Sequence, residues 1–144
     1  SVNDFKRSLR AELLTQKLVA KLDTQTQIRA ESALAELKDG ADFAAMAKKY
    51  SDEKETKEQG GEYGVPIDKT TRSVSALVTD TLFQLKSGQH SEIINTGYSL
   101  EIVKNIEVNG TKIRAAHLVF NYKDISEYIK EISEQNKSKN YIKV

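Results

Sequence analysis

The sequence predicts an α+β fold from three observations: apolar residues at helical spacing through most of the chain up to Leu85, a glycine-rich loop near its centre, and β-branched runs flanking Asn109-Gly110 in the last third.

From Val2 to Leu22 the residues Val2, Phe5, Leu9, Leu13, Leu18 and Leu22 recur every three to five positions, the spacing of an amphipathic helix that Ser1 or Asn3 would cap. Leu14 and Val19 widen the stripe, so the helix is expected to pack against something substantial. A second helix is expected over Thr26 to Lys38, with Ile28, Ala33, Leu34 and Leu37 inward and Gly40 as its left-handed terminator. A third, from Asp42 to Tyr50, carries Phe43, Met46 and Ala47 on one face and ends at Ser51. The charged stretch Asp52 to Glu58 followed by Gly60, Gly61 and Gly64 reads as a loop with positive backbone dihedrals or close chain approach. Val65 to Ser73, which holds the only proline, Pro66, reads as extended or irregular.

Helical spacing returns over Val74 to Leu85, with Leu77, Val78, Thr81, Leu82 and Leu85 available to a core, and Lys86-Ser87-Gly88 stops it. Strands are expected over Glu92 to Thr96, Leu100 to Val108 and Thr111 to Phe120, the last two joined at Asn109-Gly110. A short helix over Ile125 to Ile132 and an edge strand over Tyr141 to Val144 complete the reading.

With 144 residues, 38% hydrophobic and 30% charged, the chain suits one compact domain with an appended helix or two. A net charge of +1 gives no field that would draw it to nucleic acid or an acidic membrane, so no nucleic-acid partner is expected. The absence of cysteine removes disulfides and thiolate chemistry. Two histidines far apart in sequence give a metal site little support, and no metal or other cofactor is expected. No apolar run approaches the roughly 20 residues of a membrane span. The chain opens on Ser1, which reads as a processed or excised segment, so membrane anchoring outside it stays open.

The segment AELKDGADFAAMAKKYSDEKETKEQGGEYG resembles the centre of parvulin-type peptidyl-prolyl isomerases, whose pattern is G-x-D-F-x-x-x-A-x-x-Y/F-S-D followed by G-G-x-L-G. The matches are Gly40, Asp42, Phe43, Ala47, Tyr50, Ser51 and Asp52, then Gly60, Gly61, Tyr63 and Gly64. Downstream, LFQLKSGQHSEII is similar to the family's A-F-x-L-x-x-G-x-x-S-x-P-V through Phe83, Leu85, Gly88 and Ser91, with Ile93 in place of proline. The lead-in helix resembles the last chaperone-domain helix of extracytoplasmic foldases of the SurA and PrsA kind. This resemblance implies a parvulin-like, FKBP-like fold: a small antiparallel four-stranded sheet packed with about four helices, plus the N-terminal amphipathic helix. It divides the chain into a chaperone-like helix (1–25), a parvulin-like domain (26–122) and a C-terminal helix and tail (123–144). It also implies an extracytoplasmic location, with the cytoplasm still open.

The family opens on a strand reading R-x-x-H-I/L-L/V-V. Here that motif comes at the other end, as Arg114-Ala115-Ala116-His117-Leu118-Val119-Phe120. Either this strand begins a second, truncated repeat, or the domain is circularly permuted and the strand completes its own sheet.

The activity the resemblance implies is X-Pro isomerisation, which is slow because rotating the amide costs about 18 to 20 kcal/mol. Catalysis needs an apolar slot for the proline ring and hydrogen bonds favouring the twisted amide, with no covalent intermediate. By the resemblance, the substrate slot falls to Tyr63, Val74 and Val78, with Phe83 of A-F-x-L beside them. The polar floor falls to His117 as the first histidine, Glu53 just after Ser51-Asp52, and Thr96 at the final strand. The family's second histidine is replaced by Glu101, and a glutamate beside a histidine favours the charged ring, whereas paired histidines share a proton. A plain two-residue turn would set His117 opposite Ile102, and one bulged residue would set it opposite Glu101.

The implied partners are proline-containing unfolded or extended polypeptides. Phosphoserine-proline substrates are disfavoured, since Asn121-Tyr122-Lys123-Asp124 holds one basic residue where phosphate-reading members carry a cluster. A non-catalytic module that binds extended chains is the alternative, and a purely structural domain would leave the glycine loop unexplained.

Overall fold

The computed structural model describes residues 1–141 and contains six helices and a three-stranded antiparallel sheet. The elements are α1 (Val2–Leu22), α2 (Thr24–Lys38), α3 (Phe43–Tyr50), α4 (Lys54–Lys57), α5 (Ala76–Gln84), β1 (Ile94–Asn95), β2 (Ser99–Asn109), β3 (Lys112–Asn121) and α6 (Ile125–Tyr141). They form two compact units: Gln25–Asn121, and a second made of Ser1–Thr24 with the chain from Tyr122 onward.

In the smaller unit, α1 begins where the Ser1 hydroxyl accepts from the Asp4 N–H, so of the two expected caps Ser1 is used. Its apolar stripe stays largely in solvent: Phe5 is 69% and Leu14 67% exposed, and Val19 alone on the helix is buried. Buried Asp23 accepts a hydrogen bond from the Lys123 N–H at 2.9 Å, tying the end of α1 to the start of α6. Helix α6 runs well past Ile132 and takes in Tyr141, the first residue of the expected edge strand. The rest of that strand lies outside the described residues.

In the larger unit, α2 buries Ala30, Ala33, Leu34 and Leu37 and leaves Ile28 exposed, against expectation. Gly40 terminates it at φ +96°, a conformation costly for any residue with a Cβ. Asp42 caps α3 by accepting from the Ala45 N–H. Helix α4, one turn inside the charged stretch, was not signalled by any apolar period. Helix α5 starts two residues later than expected because the Ser75 hydroxyl caps the Val78 N–H. It buries Val78, Thr79 and Leu82, while Leu77 faces solvent and Thr81 is only half-buried.

Sheet order is β1-β2-β3. The described residues give three strands where four were expected, because the segment after the glycines touches β3 only through isolated bridges, Glu62 to Ala116 and Ile67 to Ile113. The two faces of β3 differ. Ile113 and Ala115 join Ile67, Val78, Leu82, Ile94 and Val103 in a core beneath α5. On the opposite face Phe120 lies 6.4 Å from the Tyr50 ring, with the Arg29 guanidinium 5.6 Å from its centroid, so α2 and α3 cover that side.

Two serines, one on each side of the hairpin, act alike. Ser51 Oγ accepts the buried Val119 N–H at 3.2 Å, and Ser91 Oγ accepts the buried Val103 N–H at 3.0 Å. Each saves a strand amide from being buried without a partner. Ser51→Ala or Ser91→Ala is expected to cost about 1 to 3 kcal/mol, read from the urea midpoint at unchanged slope. A loss below a few tenths would mean that water reaches the amide.

Candidate functional site

The hairpin sets the geometry of the site. Its turn is Gly110-Thr111, one residue later than Asn109-Gly110 would give, and Asn109 pairs with Lys112. A register shift between Asn105 and Glu107 then sets His117 opposite Val103 and Glu101 opposite Val119. Both sequence-based registers are corrected, since His117 faces neither Ile102 nor Glu101 directly. The shift sits where buried Asn105 turns to another loop: its N–H donates to the Gln89 carbonyl, its Nδ2 to the Leu85 carbonyl, and its carbonyl accepts from Gly88. His117 and Glu101 therefore occupy diagonal positions on one face, within reach of long side chains. His117 Nδ1 and Glu101 Oε2 are 3.4 Å apart.

The firmer contact is on the other ring nitrogen. His117 Nε2 lies 2.5 Å from Glu53 Oε2, and the same carboxylate oxygen accepts from Thr56 Oγ1 at 2.6 Å. Thr56 Oγ1 is itself 3.2 Å from Nε2. Helix α4 brings this about, since Glu53 precedes its single turn and Thr56 lies three residues on, on the same side. Thr56 was missed in the sequence; its spacing from Glu53 was the available signal. The ring of Tyr63 packs on the imidazole at a centroid distance of 4.1 Å and a tilt of 39°. Its hydroxyl is buried with no hydrogen-bond partner among the described residues, and burial, with Glu101 and Glu53 adding to it, holds the phenol firmly protonated.

These groups open onto a cleft of about 410 Å³. Of the predicted residues, Glu53, Tyr63, Val74, Glu101 and His117 line it. Its apolar wall is completed by Val65, Ile67 and Val119. Three predicted residues stand elsewhere. Val78, 1% exposed, belongs to the core because its helical turn faces the sheet. Phe83 is half-buried against the same core, with Lys69 Nζ 5.5 Å from its ring centroid. Thr96 closes the β1-β2 turn, where its hydroxyl donates to the Ser99 carbonyl at 3.0 Å and meets Ser99 Oγ at 2.9 Å. It reaches the site only through Ser99, a cleft residue whose Oγ is 3.5 Å from Glu101 Oε1.

A second cleft, of about 510 Å³, lies next to it and shares Val65 as a wall. There Arg114 grips Glu62 through two hydrogen bonds of 3.0 and 2.6 Å, which hold the Glu62 carboxyl below its usual range. Among the described residues no group of three or more His, Cys, Asp or Glu side chains is arranged to hold a metal ion, and no helix is long and apolar enough to cross a membrane.

The chain is 32% identical over 102 residues to foldase protein PrsA 3 of Bacillus anthracis, an alignment covering 70% of this chain and 33% of that one. It is 31% identical over 89 residues to foldase protein PrsA of Pediococcus pentosaceus, covering 61% and 30%. The chain thus spans about a third of the length of these curated relatives. Among solved structures, the foldase protein PrsA from Streptococcus pneumoniae aligns with 88% of this chain and 52% of that one, at a TM-score of 0.39 and 20% identity. The family model for the PPIC-type PPIase domain, or rotamase, matches residues 13–107, a stretch that ends before His117. The chain belongs to the PPIC-type peptidyl-prolyl isomerase family.

Proposed function

We propose that this chain is a peptidyl-prolyl cis-trans isomerase that helps exported or unfolded polypeptides to fold. The observation that carries the reading is the cleft itself. It joins an apolar wall of Val65, Ile67, Val74 and Val119 to a polar floor of His117, Glu53, Thr56 and Glu101. The wall accepts the proline ring and excludes water, while the floor offers a dense hydrogen-bonding surface to the amide as it leaves planarity. Stabilising the twisted form over the planar one is all the reaction requires. In this reading His117 and Glu53 meet the substrate, Glu101 and Thr56 hold the imidazole in place, and Tyr63 and Val74 bound the slot. The pairing of β3 with β2 supports a circularly permuted domain, in which the family's opening strand follows its closing one. The names of the relatives support a foldase role.

One observation favours the second reading, a non-catalytic module that binds extended chains. Both nitrogens of His117 already face carboxylates, leaving neither plainly available to a substrate. Exchange NMR on a short X-Pro peptide separates the two. Acceleration by the wild type, reduced about tenfold or more in His117→Ala, is expected for the isomerase. Wild-type exchange at the uncatalysed rate, with retained suppression of aggregation, would leave only the binding module.

A further inference from the structure

The cleft has a pronounced charge bias. Among the described residues, its ionisable lining consists of the carboxyls of Glu53, Glu55 and Glu101, the imidazole of His117 and the phenol of Tyr63, with neither lysine nor arginine. The basic residues nearest in sequence, Lys54 and Lys57 beside Glu55 and Arg72 beside Ser73, lie outside the lining. Even with a proton on both ring nitrogens, His117 offsets only one carboxylate, so the cleft stays net negative. Glu55 is exposed on α4, lines the cleft, and is not among the carboxylates paired with the imidazole, which are those of Glu53 and Glu101.

We infer that the cleft selects polypeptides carrying a lysine or arginine next to the proline, and that Glu55 is the main determinant of this choice. This rests on the proposal that the cleft receives an X-Pro segment, by either of the two readings above. A cation near the rim meets two or three carboxylates in a partly desolvated recess, where each pair is worth more than at an open surface. An acidic neighbour meets the same field with the opposite sign, so the bias acts by repulsion as well as attraction. The apolar wall is indifferent to this charge, and the selection falls on the flanking side chain.

The test uses the whole chain and two series of short peptides, with lysine, alanine or glutamate either before or after the proline. Affinity is read from amide shifts of the labelled protein, and turnover from exchange NMR. The lysine peptide of at least one series is expected to exceed its glutamate counterpart by about tenfold in affinity. That ratio should shrink several-fold in Glu55→Gln, and again in wild type when salt is raised from about 0.05 to 0.5 M. Equal affinities throughout both series, with cleft amides still shifting, would overturn the inference while leaving the peptide site intact. So would a lysine preference unmoved by Glu55→Gln and salt. No shifts with any peptide would overturn both. Lysine-selective binding without turnover would uphold the inference and reject the isomerase.

Discussion

Gly61→Ala is expected to destabilise the protein by about 3 to 5 kcal/mol, through backbone strain, a steric clash and the loss of a buried hydrogen bond together. Gly61 has φ +83°, and a Cβ placed on it would lie 2.3 Å from the His117 carbonyl oxygen and 3.2 Å from the Ala47 Cβ. The oxygen belongs to β3 backbone and cannot swing aside as the end of a side chain can. Relief would have to come from moving the loop, which breaks the 2.8 Å bond from the His117 N–H to the Gly61 carbonyl. Gly64→Ala is the control. Gly64 has φ +75° but no atom of the described residues lies within 4 Å of an added Cβ, so only the conformational cost of about 1 to 2 kcal/mol applies. Denaturant unfolding of the two variants isolates the clash, and equal losses would mean that the loop yields freely. The Gly61 variant should also shift the His117 resonances, whereas Gly64→Ala should not.

Phe120→Ala is expected to cost about 3 to 5 kcal/mol, the range for emptying a large buried aromatic site. Phe120 is 0% exposed, beside Tyr50 and beneath Arg29. Arg29 is held independently by Asp52, through contacts of 2.7 and 3.1 Å, and by the Tyr50 carbonyl, so the cavity cannot readily collapse. Since β3 presents Phe120 and His117 to opposite faces, the variant should lower the thermal midpoint by many degrees yet leave cleft amide shifts in place at low temperature. A drop of less than about 1 kcal/mol would show that Tyr50 and Arg29 close the gap.

The contrast between these positions explains what could be read from the sequence. Helices α1, α2, α3 and α5 were legible because their apolar residues repeat with the helical period, although Ile28 and Leu77 show that the period does not say which members of a wide stripe are buried. The hairpin was legible and its register was not. Gly110-Thr111 and Asn109-Gly110 are both acceptable turns, and the shift near Asn105 depends on Leu85, Gly88 and Gln89, which arrive from another part of the chain. His117, Glu101 and Glu53 were pointed to by resemblance to a family pattern, while Thr56 lay in a charged run where its spacing of three from Glu53 was the one mark it carried. Val78 shows the limit of carrying a pattern over position by position: the resemblance set it beside Val74 in the slot, but only Val74 lines the cleft and Val78 is in the core.

The Ser-Asp and Gly-Gly elements of the central motif have a further consequence through β3. Along its outer side the Val119 carbonyl accepts from Asp52 and the Val119 N–H donates to Ser51. The His117 N–H donates to Gly61, the Ala115 carbonyl accepts from Tyr63, and Ile113 exchanges both of its bonds with Ile67. The loop thereby occupies the place a neighbouring strand would take. An incoming extended chain finds no free row of backbone groups there to pair with, so it cannot be captured by strand addition on this side. The motif thus acts as a guard: whatever chain comes against the protein, this sheet margin stays closed to being templated by it.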